Sequence, residues 1–412
     1  MVMVCDAIMG TGKSSAAITY LNEHPDGKYI YITPYLDEAK RIKDGCPTLH
    51  FVEPSDKLSK YGYKKSLHTI ELISHGKNIA TTHQSFKNYT KATLDDIKRQ
   101  GYTLIIDENV DVLENCEFHP DDLEIVVGMG CVKEENGTYT LKDDSYQGRI
   151  FSEMFSLLRT RQLVKIKDKN ENTFFYWTLP PELLTSFKDV FILTYLFEGQ
   201  SLHHFMKIYD IPYTYIGIER TGDGGYRFGD YPGYVPEYVK HLKDMIEIVD
   251  NDRMNDIGDE FHALSMTWFE RGGEDVEQLK KNLFNFYYNI YDTDVDRRLW
   301  GSYKDGYNKL RGKGYAKAFL SFNAKATNEY RNRTHLAYVA NPFMNVKEKY
   351  FYTMQGIEID EELYATSIIV QWIWRSAIRA GEKIYIYVPS RRMRTLLTKW
   401  IENTSKGGYI NG

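Results

Sequence analysis

Residues 1–15 read Met1-Val2-Met3-Val4-Cys5-Asp6-Ala7-Ile8-Met9-Gly10-Thr11-Gly12-Lys13-Ser14-Ser15. The first five make a short apolar strand, and residues 14–22 read as a helix. Between them lies a turn with two glycines that runs into Lys-Ser. Strand, glycine turn, Lys-Ser and helix is the order that a phosphate-binding loop needs. Backbone N–H groups of the turn and of the helix N-terminus converge on one concavity of partial positive charge, which suits a triphosphate. Gly10, Thr11, Gly12, Lys13, Ser14 and Ser15 then form the cradle. Lys13 is expected to reach the β- and γ-phosphates, and Ser14 to hold Mg2+. Ala7 stands where the pattern usually begins with glycine, which is tolerable unless that residue needs positive φ. The competing reading is an ordinary glycine-containing strand-to-helix turn.

Composition bounds the rest. With 412 residues, 42% hydrophobic and 26% charged, the chain has ample core and reads as two globular domains. A net charge of −5 gives no global basic field, so any nucleic-acid surface is expected to be a local groove. Cys5, Cys46, Cys116 and Cys131 show neither a CxxC pair nor metal-ligand spacing. They read as reduced thiols of a cytoplasmic protein. An opening strand and phosphate loop are not a secretory signal, and no run of about 18 apolar residues marks a membrane span. The 33 tyrosines, with abundant Lys, Asn and Ile, point to an AT-rich genome such as that of a phage or a Gram-positive host.

Outward from the loop, residues 28–33 read as a strand ended by Pro34. Residues 36–43 and 64–75 read as helices, and residues 78–82 as a strand closed by Thr81-Thr82-His83. Residues 102–106 are apolar apart from Thr103 and run into Asp107-Glu108, as expected of a parallel strand buried on both faces. This alternation predicts a doubly wound α/β domain. Ligands of such sheets bind at the carboxyl ends of the strands. Asp107 is therefore assigned to the metal and Glu108 to polarising the attacking water. Thr33-Pro34, Thr81-Thr82-His83 and Thr194 offer hydroxyls and amides at other strand ends, which suit phosphate oxygens. Each threonine could equally be a helix N-cap, and His83 a packed histidine.

At this point the order of motifs resembles the superfamily 2 helicases of the DEAD/DEAH-like group, as a phage would encode them. Ala7-Ile8-Met9-Gly10-Thr11-Gly12-Lys13-Ser14 looks like their motif I, Thr33-Pro34 like motif Ia, and Thr81-Thr82-His83-Gln84 like the next nucleic-acid-contacting motif. Asp107-Glu108-Asn109-Val110 looks like the DExx box. No stretch ahead of residue 1 offers the group's adenine-reading Q motif. Residues 190–194 fall where motif III lies, though Thr194-Tyr195-Leu196 departs from Ser/Thr-Ala-Thr. Thr327 and Asn328, after an expected strand at 318–322, resemble the motif V region, with a plain turn as the competitor.

The strongest signal of the second half is Gln371-Trp372-Ile373-Trp374-Arg375-Ser376-Ala377-Ile378-Arg379, within an expected helix over residues 361–380. A spacing of four puts Gln371, Arg375 and Arg379 on one helical face. The stretch resembles motif VI, and Arg375 or Arg379 is the implied arginine finger, with Gln371 beside it. The alternative is a solvated basic face. Arg391, Arg392 and Arg394 form a further basic patch that could grip phosphate or cover acidic neighbours.

The expected architecture is thus α/β, two RecA-like doubly wound domains in tandem with β-rich and helical insertions. Residues 1–200 would form the ATP-binding domain, with an insertion at about 117–190 carrying an Asn-Gly hairpin. Residues 201–412 would form the second domain, with an insertion at about 235–312. Residues 205–220 read as its strands, 222–234 as a loop and 262–269 as a strand. The resemblance implies an ATP- and Mg2+-dependent helicase or translocase acting on single-stranded or branched DNA more than RNA, in phage replication or recombination and beside proteins of those processes. ATP would sit between the domains and nucleic acid across the opposite rim. An ATP-switched nucleic-acid-binding or partner-recruiting protein is the rival reading, and a packaging ATPase a third.

Overall fold

The computed structural model describes residues 1–407 except 35, 56, 58–64, 116–117, 147, 168–169 and 325–328. Cys116, Thr327 and Asn328 therefore lie outside the described residues. The chain divides into two compact units. Unit 1 comprises residues 1–7, 12–233 and 347–358, and unit 2 residues 8–11, 234–346 and 359–412.

Unit 1 is built on a parallel sheet. Its strands are β1 (Val2–Asp6), β2 (Tyr29–Thr33), β3 (Ile79–Thr82) and β4 (Thr103–Asp107), with two more reached after the insertion. The insertion carries β5 (Leu113–Asn115), β6 (Val132–Glu135), β7 (Thr138–Leu141), β8 (Gln162–Lys167) and β9 (Thr173–Thr178). The main sheet resumes with β10 (Asp189–Thr194) and β11 (Tyr213–Tyr215) in the order β11-β1-β10-β4-β2-β3. Side chains on successive strand residues point to opposite faces. Val2, Val4, Ile30, Ile32, Leu104, Ile106, Val190 and Ile192 accordingly enter one core. Cys5, Tyr29, Tyr31, Ile105, Phe191 and Leu193 enter the other. A strand that must feed two cores is apolar at every position, which is why these runs are legible in the sequence.

The insertion is an antiparallel five-stranded sheet, β5-β9-β8-β7-β6, with its own core around Leu123, Val126, Leu163 and Trp177. Asn136 (φ 52°) and Gly137 (φ 77°) form its tightest turn, both in the left-handed region that an Asn-Gly pair accepts. At its root, buried Arg161 and Lys87 both pair with Glu114, at 3.1 Å and 3.3 Å.

Three expectations for residues 201–234 need correction. Of the strands expected over 205–220, residues 213–215 and 217–220 are strands, but residues 201–208 are a helix (Ser201–Ile208), since Leu202, Phe205 and Met206 recur at helical spacing and are buried. Residues 201–233 belong to unit 1, because β11 pairs in parallel with β1. The loop expected at 222–234 contains half of a hairpin, β12 (Gly217–Arg220) and β13 (Tyr226–Gly229).

Unit 2 holds a four-stranded parallel sheet. Its strands are β14 (Ile246–Ile248), β15 (Arg298–Gly301), β16 (His335–Tyr338) and β17 (Ile384–Tyr387), in the order β14-β17-β16-β15. Residues 235–312 are thus no insertion: they supply two of these strands. Trp300, Ala337, Val339 and Tyr387 pack with Leu279, Leu283 and Phe286 in one core. The strand expected at 262–269 is instead the helix Met266–Arg271, capped by Ser265, whose Oγ accepts the Trp268 N–H at 3.4 Å. Residues 318–322 hold only a single bridge, Trp300 to Phe319.

Candidate nucleotide-phosphate site

Helix α1 (Lys13–Glu23) starts directly after Gly12, which caps it at φ 90°. Gly10 also has positive φ, at 85°. Both glycines occupy backbone that side-chain-bearing residues rarely adopt, and the turn needs them for that reason. Buried Thr11 closes the turn by donating from Oγ1 to the Ile8 carbonyl at 2.9 Å. The Lys13 amine donates to the Ala7 carbonyl at 2.5 Å. Burial pushes its pKa below the ordinary lysine value, while nearby carboxylates including Asp107, Asp6 and Glu108 push it back.

β10 separates β1 from β4, so the glycine turn and the Asp-Glu pair stand one strand apart at the same edge. The Ser14 hydroxyl donates to Asp107 Oδ2 at 3.1 Å. Tyr31 Oη donates to the same oxygen at 3.0 Å. Burial first, then the neighbouring Glu108 carboxylate, raises the Asp107 pKa to about 6. Burial and Asp107 push the Tyr31 phenol well up, so Tyr31 remains a donor. Glu108 has φ 66°, unusual for a non-glycine residue, and its N–H donates to the Leu193 carbonyl at 3.0 Å.

The other proposed contacts are mostly enclosed. Thr33, Thr81 and Thr194 are buried, and Pro34 is half-buried. The Thr194 hydroxyl is committed to Gln200 Oε1 at 2.9 Å. Thr82 caps a short helix by accepting the Ser85 N–H at 3.4 Å. His83 is buried, with Nε2 2.8 Å from the Asp107 carbonyl, and so acts as a packed histidine at the acidic strand end. Two site-forming residues escaped the sequence reading. Tyr31 looked like one more apolar strand residue. Buried Asp6 accepts the Leu196 and Phe197 N–H groups at 2.8 Å and 3.0 Å, fixing the segment after β10.

In unit 2 the expected helix over 361–380 stops early. It spans Glu361–Ile373, and a separate 3-10 turn covers Ala377–Ala380. Ser376 is extended (φ −92°, ψ −169°), and its hydroxyl donates to the Ile373 carbonyl at 2.6 Å. The Ala377 N–H, which would have taken that carbonyl, donates instead to Arg333 O at 2.9 Å. Gln371, Arg375 and Arg379 therefore share no continuous helical face. Arg375 is buried, which removes it from any solvated stripe, and Arg379 is exposed. Arg391 pairs with Asp259 at 2.7 Å, as an acidic-neighbour reading requires. Arg392 and Arg394 hold backbone carbonyls of Pro342, Glu361, Val388 and Pro389.

A magnesium ion bound with a nucleotide uses one or two protein oxygens plus phosphates and water. The adjoining Ser14 and Asp107 oxygens fit that need. Among the described residues no group of three or more His, Cys, Asp or Glu is placed to hold a metal by itself, and no helix is long and apolar enough to cross a membrane.

Fold and site together define a parallel-sheet α/β protein with a two-glycine strand-to-helix turn one strand away from an acid-tipped strand. Residues 240–401 match the family model of the YonV C-terminal Rossmann-like domain. The SPbeta prophage-derived uncharacterized protein YonV of Bacillus subtilis (strain 168) is 37% identical over 414 residues, covering 98% of this chain and 99% of that one. The chain belongs to the YonV family. Two solved structures are also similar. S. tokodaii Xpd4 is 11% identical with a TM-score of 0.42, covering 100% of this chain and 94% of that one. A hypothetical ATP-dependent RNA helicase from Sulfolobus tokodaii is 12% identical with a TM-score of 0.27, covering 98% and 90%. At these scores neither likeness carries an argument about fold or activity.

Proposed function

We propose that this protein is an ATP- and Mg2+-dependent nucleic-acid motor, a helicase or translocase of two RecA-like domains, serving DNA replication or recombination of a phage. The observation that carries the reading is the 3.1 Å hydrogen bond from Ser14, at the start of α1, to Asp107, at the tip of a buried parallel strand. A hydroxyl and a carboxylate brought together from residues so distant in sequence would serve as the one or two protein oxygens that a nucleotide-bound Mg2+ uses. When bound, that ion would neutralise charge on the transferred phosphoryl group. Lys13 would exchange the Ala7 carbonyl for phosphate oxygens, and Glu108 would orient the attacking water. Arg375 or Arg379 would supply the finger, with Gln371 nearby. The prophage origin of the B. subtilis relative supports the phage setting.

Steady-state ATPase assays with and without single-stranded DNA, at low and moderate salt, test this. Turnover stimulated by DNA and weakened by salt is expected, because phosphate contacts release counterions. ATP binding without stimulated turnover would leave a nucleotide-switched binding protein instead.

The metal step also carries a pH signature. Asp107 must lose its proton to hold Mg2+. Its pKa is raised to about 6, so the protonated form dominates below that value. Mg2+-dependent nucleotide affinity should therefore fall as pH drops through about 6. Titrations with a fluorescent nucleotide on either side of that pH would show it. A flat profile would take Asp107 out of the metal site.

A further inference from the structure

The hairpin of β12 and β13 lies against α1, and its two faces differ. Glu219 and Arg227 pair across the outer face at 2.8 Å. The face toward α1 carries two other cross-strand pairs, Ile218 with Phe228 and Arg220 with Tyr226. Ile218 is fully buried in the core that also takes Ala16 and Ala17 of α1. Phe228 stacks on Phe191 of β10 with ring centroids 5.0 Å apart and approaches Tyr20 of α1 at 6.0 Å. This apolar pair anchors the hairpin along the helix.

The second pair falls at the phosphate turn. A Cβ placed on Gly12 would lie 2.4 Å from the Tyr226 ring, so the ring rests directly on the glycine that caps α1. The guanidinium of Arg220 stands 5.8 Å from the ring centroid of Tyr226. Tyr226 itself is half-buried. An aromatic ring is thus fixed against the glycine that precedes Lys13, on a hairpin whose turn, Thr221 to Gly225, closes with a 3.1 Å backbone hydrogen bond.

We propose that Tyr226 is the stacking platform for the base of the nucleotide, and that Arg220 positions its ring. The proposal rests on the phosphate-site reading given above. Every nucleobase has a π-face, so a platform of this kind binds bases with little discrimination by hydrogen bonding.

Inorganic tripolyphosphate, which has the phosphates and no base, separates the platform from the phosphate site. Binding of ATP and of tripolyphosphate to the full-length chain would be measured for wild type, Tyr226→Leu, Tyr226→Trp and Lys13→Ala. Tyr226→Leu is expected to weaken ATP by about tenfold, within the range of base–aromatic stacking, and to leave tripolyphosphate unchanged. Tyr226→Trp should keep ATP affinity, with its fluorescence altered by ATP and not by tripolyphosphate. Equal losses for both ligands would make Tyr226 a prop for the turn, and no loss for either would make it a bystander. Both results overturn the platform while Lys13-dependent tripolyphosphate binding still upholds the phosphate site. A wild-type protein that binds neither ligand would overturn both.

Discussion

Lys13→Ala should abolish nucleoside-triphosphate hydrolysis. The Lys13 amine sits at the first position of α1, one residue after a glycine whose positive φ turns the chain into the helix. Its partner is the Ala7 carbonyl, a neutral acceptor inside its own turn. Burial pushes its pKa down, so the charged form is poorly solvated where it stands. A phosphate oxygen is a stronger acceptor than a carbonyl for such a cation, and the exchange would relieve that cost. The contact matters most as charge builds on the transferred phosphoryl group. Loss of one preorganised donor typically lowers turnover by about 10²–10³-fold. Arginine is no substitute, since its planar fork cannot act as the compact point charge of the ammonium. Lys13→Ala and Lys13→Arg should therefore both fail in a phosphate-release assay and still unfold cooperatively near the wild-type midpoint. Wild-type turnover in Lys13→Ala would sink the phosphate-loop assignment.

The parts of the molecule that were legible in the sequence are those where local physics leaves few residue choices. Strands such as 29–33 and 103–107 feed two cores at once with near-continuous apolar runs, Tyr29 to Ile32 and Leu104 to Ile106, so they stand out. The glycine turn and Asp107-Glu108 stand out because φ and charge there leave few residue choices. What stayed hidden was short or chemically disguised. β14 and β11 have three residues each. β15 opens with Arg298, a charged residue that looks exposed in the sequence. It is buried, held by the Thr293 and Gly314 carbonyls and stacked 4.1 Å over the Tyr288 ring. The arginine stripe of 371–379 failed for a different reason. Its four-residue spacing is a statement about an unbroken helix, and this helix ends at Ile373, whose carbonyl takes both the N–H and the hydroxyl of Ser376.

Glu108→Gln should separate binding from hydrolysis. Glu108 follows the last residue of β4 and is held at φ 66°, a conformation that costs a non-glycine residue on the order of 1–3 kcal/mol. The surrounding structure over-determines it: the Glu108 N–H is tied to the Leu193 carbonyl of β10, and His83 meets the carbonyl of Asp107 just before it. Strain kept at a carboxylate beside the aspartate proposed to hold Mg2+ points to function, since glycine would fill the same backbone at no cost. Glutamine keeps the backbone, the size and the strain, and removes only the charge that can polarise water. Its effect should therefore appear in kcat, by about 10²–10⁴-fold, the usual worth of a general base, with nucleotide affinity retained. Loss of the Glu108 charge also removes a neighbour that raises the Asp107 pKa. The variant should thus hold Mg2+-nucleotide at somewhat lower pH than wild type. Single-turnover hydrolysis and equilibrium binding, measured on the same preparation, would show the split. Parallel losses in both would mean that Glu108 shapes the site rather than activating water, and the catalytic base would have to be sought elsewhere along the carboxyl edge of the sheet.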